Sequence, residues 1–163
     1  MPSNQALFEE RLSRSAIAFR DLVWPLIAAH VGNGILIPVE AVTAPPTQAR
    51  LDQLAGIDAW QVCRHPEGMR GIASRVQPVR PGWPELGWQT FTIRYQLPSG
   101  GETEWAKRQR AIHNAQEGWL MPHFTVQAYL SKTWDNVLSC CCISTEALVL
   151  YTEEALERKD YSR

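Results

Sequence analysis

Between residues 59 and 110 the chain gathers Arg64, Arg70, Arg75, Arg80, Arg94, Lys107, Arg108 and Arg110, against Glu67, Glu85, Glu102 and Glu104. Eight cations minus four carboxylates give this stretch +4. Residues 1–58 carry −2 (four basic, six acidic) and the remainder −3 (four basic, seven acidic), for a net charge of −1. Seven of the eight central cations are arginine, whose planar fork of donors matches a phosphate. A basic centre in an acidic chain points to a phosphate-bearing partner. Solvated loops carry the same charges, and only their clustering in the fold separates the two readings.

Two further positions could do chemistry. Asp58 opens a β-rich run in Gly56-Ile57-Asp58-Ala59-Trp60, where a carboxylate suits either a hard cation or an ordinary turn at a strand end. Glu104 and Lys107 stand three apart and so share one side of a helix. A solvated helix start, with the carboxylate favoured by the helix dipole, explains that pair as well. Other chemistries find little support. His30, His65, His113 and His123 lack zinc-site spacing, and Cys63 with His65 is the nearest pair. Ser74 has no nucleophile elbow around it, and Gly32-Asn33-Gly34 lacks the lysine and spacing of a phosphate loop. Cys140, Cys141 and Cys142 are consecutive, and strand neighbours point to opposite faces, which makes a poor disulfide framework. Reduced thiols acting as small apolar groups fit best.

These residues need elements to hold them. Residues 4–30 read as a long helix with an apolar stripe of Phe8, Leu12, Ala16, Phe19, Val23 and Leu26, kinked or restarted at Pro25 and ended by Gly32-Asn33-Gly34. A strand is expected over 35–42, at an edge or bent at Pro38, and a short helix from a Thr47 cap through Leu54. Strands Ile57–Val62 and Gly71–Val76 follow, separated by a polar loop, Arg64–Arg70. In the second, Ala73, Arg75 and Gln77 share a face. Residues 78–88 are loop, 91–96 a strand, and Thr103 caps a helix to about Asn114. Residues 123–130 and 137–144 are strands, the second a buried one, and 145–159 a short helix or strand with a charged tail. Trp83 and Trp88, in the Pro/Gly loop, either pack beneath it or stack on bases. The expected fold class is α/β, a mixed sheet flanked by helices, in a single domain over 1–163.

Long helix, strand, Asp-bearing strand, partner strand, helix, strand: in this order the chain resembles the PD-(D/E)XK nuclease core, the restriction-endonuclease-like fold. The resemblance rests on the helix carrying Glu9, on Gly56-Ile57-Asp58, and on Ile72-Ala73-Ser74-Arg75-Val76-Gln77. It covers a core of about 4–130, with a C-terminal strand and helix extension over 131–163. It implies a Mg²⁺ (or Mn²⁺) ion held by Asp58 with Glu9 or Glu104, Glu40 being a further candidate. Gln77 or Lys107 would position the attacking water. It implies phosphate contacts from Arg75, Arg94, Arg108 and Arg110. The chain departs from the family where Glu-x-Lys should stand, since Arg75-Val76-Gln77 occupies that place and arginine does not ligate a metal.

The resulting expectation is a Mg²⁺-dependent endonuclease, DNA in preference to RNA, of a defence or mobile-element system. Its specificity would come from loops, an oligomer or a partner protein. The alternative is a catalytically inactive subunit of the same fold that binds nucleic acid or a partner protein. No apolar run approaches the roughly 18 residues of a membrane span, and the charged helical start is not a signal peptide. No membrane association and a cytoplasmic address are expected.

Overall fold

The computed structural model describes residues 4–42, 55–64, 67–87, 91, 93, 99–116 and 120–158, with backbone only at 4–9, 40 and 42. In chain order the elements are α1 (Asn4–Ala18), a π-helical turn (Phe19–Val23), α2 (Trp24–Val31), β1 (Ile35–Pro38) and α3 (Val39–Val42). Then come β2 (Ala59–Arg64), β3 (Glu67–Pro78), α4 (Glu104–Gln116), β4 (Pro122–Leu130), β5 (Val137–Ser144) and α5 (Thr145–Glu157). The strands form one sheet in the order β1-β2-β3-β4-β5. All neighbours are antiparallel except the central pair β3 and β4, which are parallel. A parallel pair needs a crossover, and α4 lies within it. The chain is therefore α/β with a mixed sheet flanked by helices. Among the described residues no helix is long and apolar enough to cross a membrane.

The two faces of the sheet differ in chemistry. Ile72 and Val76 of β3 stand beside Val126, Ala128 and Leu130 of β4, all buried against Phe19, Val23, Trp24 and Ile27 of the N-terminal helices. Full burial of a side chain the size of Ile72, Val126 or Leu130 stabilises by about 1.5–3 kcal/mol. The opposite face carries Ala73 and Arg75 of β3, with Thr125, Gln127 and Tyr129 of β4 in register. There Thr125 Oγ1 meets Thr145 Oγ1 of α5 at 2.9 Å, and Arg108 of α4 donates to Thr125 at 3.2 Å. Burial on this face depends on polar pairing, as buried polar groups require.

The N-terminal helix departs from the expected stripe. Phe19 and Val23 are buried as read, but Leu12 and Leu26 are 54% and 53% exposed, and Trp24 and Ile27 take their place. For Leu26, Trp24 and Ile27 the cause is the π turn, in which Trp24 N–H bonds Phe19 O five residues back. Its wider winding sets the following residues about one 100° step behind a continuous α-helix. Leu26 rotates outward, and Trp24 and Ile27 rotate in. Pro25 follows directly on the π turn at the start of α2, so the irregularity precedes the proline. Gly32, at φ 99°, ends α2 in the left-handed conformation.

Other boundaries shift. Strand β1 stops at Pro38 on the sheet edge, and 39–42 form a single helical turn where a longer strand was expected. The loop expected over Arg64–Arg70 is largely strand, because β3 begins at Glu67 and pairs Arg64 with Glu67 in a tight hairpin. Thr103 Oγ1 accepts Ala106 N–H at 3.2 Å, the expected cap of α4. Residues 145–157 are helical, with Ser144 Oγ accepting Ala147 N–H. The short helix expected over 47–54 lies outside the described residues, as does all of the 91–96 strand but residues 91 and 93.

Candidate functional site

Asp58 lies one residue before β2. Its N–H donates to Ile72 O at 2.8 Å, and its carbonyl accepts Val39 N–H at 3.1 Å. Beyond this point β2 is absent while β3 continues, so the next inward-pointing amide of β3, Ser74 N–H, faces no strand partner. Asp58 Oδ2 takes that amide at 2.5 Å and the Ser74 hydroxyl at 3.3 Å. A half-buried carboxylate thus completes the hydrogen bonding of a frayed strand edge, the role of a strand-end turn residue.

Glu104 opens α4 and pairs with Arg75 of β3, Oε2 to guanidinium at 3.2 Å. Ser74 and Arg75 are adjacent on β3 and so project from opposite faces. The carboxylates of Asp58 and Glu104 are therefore tied to donors on the two sides of one strand. Among the described residues no group of three His, Cys, Asp or Glu side chains could hold a metal ion. The side chains of Glu9 and Glu40 lie outside the described residues. Lys107 is half-buried on α4, its N–H bonded to Thr103 O at 3.0 Å. Gln77 keeps a buried Nε2 with no hydrogen-bond partner among the described residues. The chain does not bring Asp58, Gln77, Glu104 and Lys107 to one point through any described contact.

The expected phosphate ligands are mostly occupied. Arg75 holds Glu104, and Arg110 pairs with Glu102 across the start of α4. Arg108 is 7% exposed, with Nε on Thr125 and a terminal nitrogen on Glu104 O at 3.4 Å. It anchors α4 to the sheet. Arg94 lies outside the described residues. Cys63 Sγ donates to Gly32 O at 3.7 Å, while His65 falls outside the described residues. Cys142 packs on the core, and burial raises its thiol to about 11, the neutral apolar behaviour expected, but Cys140 and Cys141 are exposed and do not share it, because β5 is only partly covered. Trp83 packs edge-on against Tyr129 at 5.8 Å between centroids, so it serves at least as cover for the sheet.

A different group of cations does converge. At the carboxyl ends of the parallel strands, beside Val76-Gln77-Pro78, a groove of about 760 Å³ is walled by Arg11 and Arg14 of α1, Arg80 after β3, and Trp134 in the β4–β5 turn. Arg11, Arg14 and Arg80 are exposed, and none forms an ion pair with a described residue. The open end of parallel strands is where α/β sheets commonly bind ligands. The sequence held one signal for this site: Arg11 and Arg14, three apart, share a helix face. Arg80 and Trp134 reach it only through the tertiary fold. No family model, curated protein or solved structure matches the chain.

Proposed function

We propose that this chain is a nucleic-acid-binding protein of restriction-endonuclease-like layout that holds its ligand without cleaving it. The order of elements supports the layout: a long helix, three antiparallel strands, a crossover helix and a parallel strand. The engagement of Asp58 with Ser74 carries the non-cleaving part of the reading. A Mg²⁺ ion needs carboxylate oxygens converging on one octahedron. Asp58 bridges a strand edge and Glu104 neutralises an arginine, so these donors do not fit such an ion. The three arginines, two on α1 and one just after β3, supply the positive field that a phosphate polymer seeks.

A second reading keeps the endonuclease. In it Asp58, placed at the start of the second strand as the resemblance implies, would be joined by Glu9 or Glu40 as ligands of Mg²⁺ or Mn²⁺. One experiment separates the two. Supercoiled plasmid is incubated with the protein and either metal to follow nicking, and gel-shift binding is followed on single-stranded and on duplex DNA. The expected result is binding with no nicked product. Metal-dependent nicking that Asp58→Ala abolishes would establish the endonuclease instead, whereas nicking that survives the substitution would remove Asp58 from any cutting site. DNA is the expected ligand in preference to RNA, and a partner protein would supply the specificity of a defence or mobile-element system.

A further inference from the structure

The turn between β4 and β5 holds Trp134 at φ 68°, a left-handed backbone that bulky residues rarely adopt. Such a conformation is strained and persists only where the surroundings impose it. Here they do. Trp134 N–H bonds Ser131 O at 3.0 Å, and Ser131 N–H bonds Asn136 O at 2.9 Å. The Asp135 carboxylate accepts the hydroxyls of Ser131 at 2.5 Å and Thr133 at 2.7 Å, which holds its carboxyl below the usual range. A glycine or asparagine would satisfy this turn with less strain, so the conformation favours what the indole reaches. One side of it packs on the core. Over the ring, 5.3 Å from its centroid, lies the guanidinium of Arg14. Arg80 lies likewise over Trp83, also at 5.3 Å.

A planar cation over an indole occupies the place where a nucleobase stacks. The groove therefore combines an aromatic platform with three arginines, opposed among the described residues of its walls by the Glu10 carboxylate. Duplex DNA hides its bases' faces, whereas an unpaired strand offers base after base to a ring flanked by cations. We infer that the groove of Arg11, Arg14, Arg80 and Trp134 binds single-stranded nucleic acid, with a base on the Trp134 ring and the backbone phosphates on the arginines. On binding, Arg14 exchanges the indole for a phosphate. This inference rests on the nucleic-acid reading above and assigns that reading its site and its strand class.

The test measures fluorescence anisotropy of a labelled oligothymidylate of about fifteen nucleotides, against a duplex of equal length. Three neutralised phosphates on a single strand predict log affinity falling with log salt at a slope of about −2. Arg11→Ala, Arg14→Ala and Arg80→Ala combined should weaken oligothymidylate binding at least about tenfold and flatten that slope. All three side chains are exposed, so this variant keeps its fold. Trp134→Leu should weaken single-strand binding about five- to tenfold, the loss of one stacked base, with little effect on the salt slope. If the wild-type chain bound no nucleic acid, the functional reading itself would fall. If it bound but the triple variant bound equally well, only the groove would be wrong. A duplex preferred over the single strand, an unaltered Trp134→Leu, or displacement of the oligonucleotide by a lower concentration of phosphoserine peptide would each overturn the assignment to single strands.

Discussion

An unpaired amide at the end of a strand explains Asp58 more fully than a metal does. The Ser74 N–H would be left without an acceptor in Asp58→Ala, a loss of about 1–3 kcal/mol. Asp58→Asn keeps an acceptor oxygen at the same place and should lose less than half as much. Denaturant unfolding of the three proteins checks this order. An alanine variant as stable as the parent would show that the carboxylate is not a brace and would reopen its candidacy as a ligand. Part of this was legible in the sequence, since an acidic residue at the head of a strand is a known turn device. The fate of Arg108 was not. Its burial follows from Thr125, seventeen residues further on, and from how closely α4 lies on the sheet. A residue's charge is local information; its exposure is a property of the packed chain.

At the scale of elements, regular patterns were legible and their interruptions were not. The Thr103 cap, the final strands and the glycine end of α2 followed from capping and turn chemistry that acts over three or four residues. The π turn has no such local signature, and a 100° step applied uniformly assigned Leu26 to the core in error. Deleting Arg20, an exposed residue inside that turn, would let the helix wind regularly from Asn4 to Val31. The lost residue and the lost lag cancel, so Trp24 and Ile27 would still face the sheet. We expect this one-residue deletion to destabilise little more than Arg20→Ala, which removes only an exposed pairing with Asp21. Thermal unfolding of the two variants compares them directly. A much lower melting temperature for the deletion would mean that the π turn does more than take up one extra residue.

Seen whole, the sheet divides its labour between an apolar face closed by the N-terminal helices and a polar face held by Arg108, Thr125 and Thr145. The arrangement was legible in the sequence as a class, a mixed sheet with helices. Which cations gather was not, because α1, the segment after β3 and the β4–β5 turn meet only in the folded chain. The central parallel pair also makes the molecule a joint of two pieces. Residues up to Pro78 supply β1, β2 and β3, and residues from Glu104 supply β4, β5 and both remaining helices. Neither piece closes the apolar face alone, for Ile72 and Val76 belong to one and Val126, Ala128 and Leu130 to the other. Gly100 and Gly101 are exposed on the connecting stretch. Expressed together as 1–100 and 101–163, the fragments should reassociate and elute as a one-to-one heterodimer; separate elution would show that the covalent tether, rather than the seam, keeps them together.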